Sequence, residues 1–161
     1  MPLKVKIQED LKTALIGKKE LELSVLRMLL AAVNNKETEK KTKIWKEKPE
    51  MSPEKIQKEA DLRDEEIFDV ISSEIKKRRE AIEGFEKGGR KESADKERQE
   101  LTILQKYLPE QMSEVKIKKL VAEAIKKSGA KEIKDMGKVM GIITAQIKGK
   151  ADMAQVSRIV K

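Results

Sequence analysis

The last third of the chain carries five basic residues whose type and placement suit the binding of phosphate groups. They are Lys134, Lys138, Lys148, Lys150 and Arg158. Clustered basic side chains attract nucleic-acid phosphates whatever the base sequence, so these residues predict phosphate contacts rather than base recognition. The alternative is a lysine-rich surface that only solvates the helices, which is common in helical proteins.

A tight turn between two predicted helices holds two of these lysines. Lys148 and Lys150 flank Gly149, which is predicted to close one helix, and Asp152 is predicted to open the next, with Gln155 at capping-box spacing. The free amides at a helix start bind anions, so they and the lysines together suit a phosphate. The Asp152 carboxylate already occupies part of this positive end, however, and an ordinary capped turn is the alternative.

The helix before this turn contains two glycines four residues apart, Gly137 and Gly141, and Asp135 is its predicted cap. Glycine in a helix is about 1 kcal/mol less favourable than alanine, so two of them indicate a packing or ligand requirement. We predict a groove where another helix approaches closely, with packing favoured over a ligand. The apolar stripe of this helix comprises Met136, Val139, Met140, Ile143 and Ile147.

Composition narrows the chemistry open to the chain. None of its 161 residues is cysteine or histidine, which excludes thiol nucleophiles, imidazole bases, disulfides and the common zinc sites. We therefore predict no metal site and no cofactor. No apolar run resembles a signal peptide or a membrane span, so the prediction is a soluble cytoplasmic protein without a membrane partner.

The basic surplus is concentrated towards the end of the chain. The net charge is +8, and 12 of the 37 Lys and Arg but only 6 of the 29 Asp and Glu lie from Pro109 onward. The longer first part is close to neutral. A polyanionic partner is therefore predicted for the last third.

Helical periodicity recurs along the chain and strand alternation does not. Charged residues make up 41% and aromatic residues 2%, which favours solvated helices with an aliphatic core. The only large rings are Trp45, Phe68, Phe85 and Tyr107. The predicted fold class is all-α.

The predicted helices fall into two groups. An N-terminal bundle has helices at 2–17, from 19 or 20 to about 33, at 53–60 after a Ser52 cap, at 62–86 as the longest, and at 92–107. A three-helix tail domain follows, with helices beginning at Ser113, Asp135 and Asp152. Proline disfavours helix at the preceding residue, so Pro109 divides the chain into domains 1–108 and 109–161.

The apolar stripes of the helices are predicted to form the core. Their residues include Leu11, Leu15, Met28, Ile71, Ile82, Leu101, Val115 and Val156. The run 76–79 (KKRR) resembles a nucleic-acid patch, but Glu74 precedes Arg78 by four residues. We therefore predict an ion-paired helix face there.

A set of ordered motifs resembles the GatB/YqeY family over essentially the whole chain. They are residues 26–32 (LRMLLAA), 35–37 (NKE), 75–81 (IKKRREA), 85–90 (FEKGGR), 107–111 (YLPEQ), 135–141 (DMGKVMG) and 148–152 (KGKAD). The chain looks like a stand-alone YqeY-like protein, and its tail is similar to the C-terminal domain of GatB, a component of aspartyl/glutamyl-tRNA amidotransferase. Segment 41–62 is longer than the link that usually leads into the long helix in this family. Arg63 stands where a serine that caps this helix is typical.

The resemblance implies an all-helical fold in two parts, with the tail contacting tRNA. It also carries the family label of a carbon–nitrogen ligase that uses glutamine as amido-nitrogen donor. That chemistry belongs to a larger domain that nothing here resembles, so we expect no ligase activity from this chain alone. The predicted partner is tRNA or another folded RNA, without DNA specificity.

Two functions remain open from the sequence. The first is a tRNA-binding module, accessory to amidotransferase-type handling of aminoacyl-tRNA. The second is a protein-interaction module without RNA binding, in which the groove at Gly137 and Gly141 binds a helix of a partner protein. That partner would act in aminoacyl-tRNA metabolism.

Overall fold

A computed structural model describes residues 1–111, 113–147, 149–151 and 153–160, and the side chains of 153 and 154 lie outside that description. These residues form α-helices and one short 3-10 helix, Ile133–Asp135, and no strand. The all-α prediction is confirmed. The helices are α1 (Leu3–Ile16), α2 (Glu20–Glu47), α3 (Pro53–Ala60), α4 (Asp64–Lys87), α5 (Lys91–Gln105), α6 (Glu114–Ser128), α7 (Met136–Ile147) and α8 (Met153–Val160).

The chain divides into two compact units, Met1–Tyr107 and Leu108–Lys161. We call them the N-terminal unit and the tail unit. The predicted boundary before Pro109 lies one residue later than the observed one.

Helix α2 is the centre of the N-terminal unit and contacts α1, α3, α4 and α5. Its buried face carries Val25, Leu26, Leu29 and Val33. At 28 residues α2 is longer than α4 with 24, so the prediction of α4 as the longest helix is wrong. The sequence predicts that the second helix ends at about residue 33, but α2 continues to Glu47, because the lysine and glutamate residues of this polar stretch favour helix.

A buried carboxylate anchors the second half of α2. Glu37 is 8% exposed and accepts hydrogen bonds from the Lys4 side chain, at 2.6 Å, and from the Leu62 amide, at 3.3 Å. Asp64 accepts one from the Leu3 amide at 2.9 Å, so the start of α1 is tied to the start of α4. A buried polar group is stable where such partners satisfy it.

The predicted ion-paired face at 76–79 has a different geometry. Arg78 is 6% exposed, and its guanidinium donates to Glu97, at 3.0 Å, and to Glu100, both on α5. Glu74 instead pairs with Lys77 at 2.7 Å. The run is ion-paired as predicted, but Arg78 pairs with two carboxylates of α5 rather than with Glu74, because α5 packs over this face of α4.

Several predicted core residues face solvent instead. Leu15, Met28 and Val115 are exposed, since their helices turn these positions away from the packed neighbours, and Trp45 is exposed as well. Tyr107 does belong to the core, and its hydroxyl donates to the Asp10 carboxylate at 2.7 Å. Burial, followed by this hydrogen bond, raises the pKa of Tyr107 well above its usual value.

The tail unit packs α6, α7 and α8 around a core of its own, comprising Ile117, Val121, Ala124, Val139, Ile143, Ile147 and Val156. Two local predictions are confirmed at the ends of α6. The Ser113 hydroxyl accepts from the Lys116 amide at 3.3 Å, and Gly129 adopts the left-handed conformation with φ of 66°.

Candidate nucleic-acid interface

The start of α7 positions two of the predicted basic residues. Lys134 lies in the 3-10 helix and Lys138 in the first turn of α7, four residues later, and both are exposed. The Lys134 ammonium is 2.9 Å from an oxygen of Glu132. Lys138 has no ion-pair partner in the part of the chain that the structure describes. Both side chains are open to a ligand from solvent, and Lys138 is the less neutralised.

Backbone hydrogen bonding explains why this segment folds as it does. The Asp135 carboxylate accepts from the amides of Lys131, at 3.1 Å, and Glu132, at 3.4 Å. The helical segment therefore begins with Glu132 as its cap, and Asp135 stands inside the 3-10 turn. The prediction of Asp135 as the cap residue of α7 is wrong, because a 3-10 turn extends the helix towards its N-terminus.

Lys150 lies beyond the other end of α7 and is exposed. Its amide donates to the Ile147 carbonyl at 2.8 Å, and Gly149 takes a φ of 77° that favours glycine. The Gln111 side chain donates to the Gly149 carbonyl at 2.8 Å and so fixes the turn to the segment before α6. Lys148 and Asp152 lie outside the described residues, and the phosphate-binding turn with its capping box stays a prediction.

The packing of α8 places its last turn, which contains Arg158, at the same end of the tail unit as the start of α7. Val160, at the end of α8, shares a cavity of about 280 Å³ with Ile133 and Met136 at the start of α7, so these two helices run antiparallel. Arg158 is exposed in the last turn of α8. Lys134, Lys138 and Arg158 therefore belong to one end of the tail unit. Lys150 belongs to the other, because α7 is about 18 Å long.

The two glycines of α7 do not pack as predicted. Gly137 and Gly141 are exposed, and apart from their chain neighbours and the backbone of their own helix, no described atom lies within 4 Å of where a Cβ would stand on either residue. No described helix approaches them, so the prediction of close helix packing within the fold is wrong. The glycines leave a bare strip of backbone open to solvent.

An apolar feature adjoins the basic end of the tail unit. Ile133 is 79% exposed at the edge of the same 280 Å³ cavity, whose other apolar walls are Ile125, Ala130, Met136, Val139 and Val160. This cavity is not evident from the sequence, because residue spacing within α7 does not show which residues of α6 and α8 face it.

Two further kinds of site are absent from the described part of the chain. Its helices are all too short or too polar to cross a membrane. Its acidic side chains form no group of three or more that suits a metal ion.

These features define a small all-helical protein with a nearly neutral N-terminal unit and a basic tail unit. The family described as Yqey-like protein matches residues 4–161, and the chain belongs to that family. The prediction of a YqeY-like protein is confirmed.

Curated relatives share the name "Altered inheritance of mitochondria protein 41, mitochondrial". The protein from Vanderwaltozyma polyspora is 26% identical over 136 residues, covering 81% of this chain and 64% of the relative. The protein from Eremothecium gossypii is 30% identical over 102 residues, covering 63% and 46% respectively. The chain thus spans about half to two thirds of the length of these relatives.

Proposed function

We propose that this protein binds tRNA or another folded RNA through phosphate contacts made by its tail unit. The observation that supports this most is the surplus of exposed cations at one end of that unit, Lys134, Lys138 and Arg158. The tail has twice as many basic as acidic residues, so its own carboxylates cannot neutralise it. Phosphate contacts of this kind provide affinity without sequence recognition.

The bare backbone at Gly137 and Gly141 suits the same ligand. A phosphodiester chain approaches a helix more closely where no Cβ projects, and Lys138 lies between the two glycines in sequence. The recognition proposed here is of RNA shape and backbone. An accessory role in amidotransferase-type handling of aminoacyl-tRNA is part of the proposal.

A gel-shift titration with unmodified tRNA tests the RNA-binding proposal. Lys138→Glu combined with Arg158→Glu reverses two exposed charges, and we expect at least about tenfold weaker binding because two phosphate contacts are lost. The matched control is Lys12→Glu with Lys91→Glu, which makes the same charge change on exposed residues of the N-terminal unit. Equal affinity of the two double variants would refute the site.

A ligase assay addresses the family label. We expect the purified protein, given glutamine, ATP and a mischarged tRNA, to form no amidated product, with a complete amidotransferase as positive control. Amidation by this chain alone would contradict the assignment of a binding role.

A protein-interaction module is the second candidate, favoured by the exposed Ile133 beside the apolar cavity. An apolar side chain of a partner fits a cavity of this kind. If Ile133→Lys abolishes capture of a specific protein from nuclease-treated extract, while tRNA binding by the wild type is undetectable, this candidate replaces the first.

We propose the cytoplasm as the location of this protein, as predicted from its sequence. The names of the relatives place those proteins in mitochondria. Fractionation of cells that express the full-length protein from its own gene distinguishes the two compartments.

A further inference from the structure

The only tryptophan of the chain stands on the surface. Trp45 lies near the end of α2 and is 59% exposed. Tryptophan is usually well buried, because its large ring gains more than most side chains from leaving water. An exposed indole on a helix keeps a flat apolar face available for stacking.

Three polar residues share the helix face of Trp45. Asn34, Thr38 and Lys41 precede it at intervals of four, three and four residues, which is the spacing of one helix face, and all are exposed. The stripe is about 16 Å long at the helical rise of 1.5 Å per residue. We call these four residues the α2 stripe.

The charge of the α2 stripe is not neutralised by its surroundings. Lys40 pairs with Glu66 at 2.8 Å, and Lys48 pairs with Glu59 at 3.5 Å. Lys41 has no carboxylate at ion-pair distance among the residues described. A free ammonium thus lies one helical turn from the indole.

The fold holds this part of α2 in place. Glu37, in the same stretch, is fixed by Lys4 and by the Leu62 amide, and α3 packs on α2 with Ile56 and Ala60 buried. A ring on a fixed helix loses little conformational freedom when a ligand stacks on it.

We propose that the α2 stripe is a second RNA-contacting surface, on which an unpaired base stacks against Trp45 while Lys41 binds an adjacent phosphate. The inference rests on the proposed function and deepens it, since it specifies that the RNA offers an unstacked nucleotide as well as a duplex backbone. Loops and ends of folded RNA supply such bases, and aromatic stacking is how proteins bind them.

The observations favour RNA over a lipid surface as the occupant. Membrane-surface helices need a continuous exposed apolar face, and the apolar face of α2 is already buried by the bundle, with Val25, Leu26, Leu29 and Val33 inside. Stacking needs only one ring and one neighbouring cation, which the stripe provides.

The emission of Trp45 tests the proposal directly, because the chain has no other tryptophan. We expect quenching on addition of tRNA and of a single-stranded oligouridylate. Trp45→Ala should bind the oligouridylate at least about fivefold more weakly, since one stacked base contributes about 1–3 kcal/mol, and Trp45→Phe should restore most of the binding. Ile16→Ala, another exposed apolar residue of the N-terminal unit, is the matched control and should bind as the wild type does.

The outcomes separate this inference from the proposed function. Saturating tRNA binding with unchanged Trp45 emission overturns the stripe and leaves the tail site standing. A blue shift with anionic vesicles of phosphatidylglycerol, without quenching by either RNA, assigns the stripe to a membrane surface and also overturns it. Loss of oligouridylate binding in Trp45→Ala, with an unchanged thermal unfolding curve, supports it.

Discussion

The two units of the chain use their charged side chains differently. In the N-terminal unit ion pairs connect helices, as Lys4 with Glu37, Lys40 with Glu66 and Arg78 with Glu97 show. In the tail unit the described pairs are local, Lys118 with Glu114 on one helix and Lys134 with Glu132 two residues away. Charge thus connects helices in the first unit, whereas the described ion pairs of the second connect none.

Loss of the most buried ion pair should have the largest effect. Arg78→Ala leaves Glu97 and Glu100 facing each other without a cation, and removing one partner of a buried pair costs about 3–5 kcal/mol. Denaturant unfolding measures the change. Lys76→Ala, on the exposed side of the same helix, is the control and should change stability by no more than about 0.5 kcal/mol. Similar curves for both variants would show that charge does not hold this unit together.

Substitution of the two α7 glycines should change the stability next most, and in the opposite direction. Gly137→Ala and Gly141→Ala should each stabilise the protein by about 0.5–1 kcal/mol, because no described neighbour meets the added Cβ. Thermal unfolding measures the gain. Each variant should also bind tRNA more weakly if RNA approaches the bare backbone. Destabilisation by either substitution would show a packing role for that glycine.

An effect of similar size concerns Tyr107 and alkaline pH. Its folded-state pKa lies above the unfolded value of about 10, so the native state holds the proton more tightly. This stabilisation is complete below pH 10 and is lost as pH rises towards the folded-state pKa. Tyr107→Phe should remove this pH dependence and cost about 1 kcal/mol at neutral pH through the lost bond to Asp10. Unfolding curves from pH 8 to 11 test it, and an unchanged alkaline slope in the variant would contradict it.

Local sequence signals predicted the local structure. Ser113 caps α6 and Gly129 ends it, while Pro53 begins α3, because each depends only on its own backbone conformation. The spacing of Val139, Ile143 and Ile147 likewise fixes the buried face of α7.

The burial and exposure of individual side chains that the sequence did not predict depend on tertiary contacts. The burial of Arg78 depends on α5 folding back over α4, and the exposure of Trp45 depends on which side of α2 the other helices cover. In the candidate site, Lys138 and Arg158 are exposed, which agrees with their positions outside the apolar stripes of α7 and α8. Their assignment to one end of the tail unit required the antiparallel packing of α7 and α8.

The salt dependence of tRNA binding tests the central claim most directly. If exposed cations of the tail unit bind phosphates, log Kd should rise linearly with log salt, and Lys138→Ala should reduce the slope by about 0.7–0.9, the contribution of one phosphate. Lys91→Ala should leave the slope unchanged. A slope near zero, or one that Lys138→Ala does not alter while Lys91→Ala does, would contradict the assignment of RNA binding to the tail.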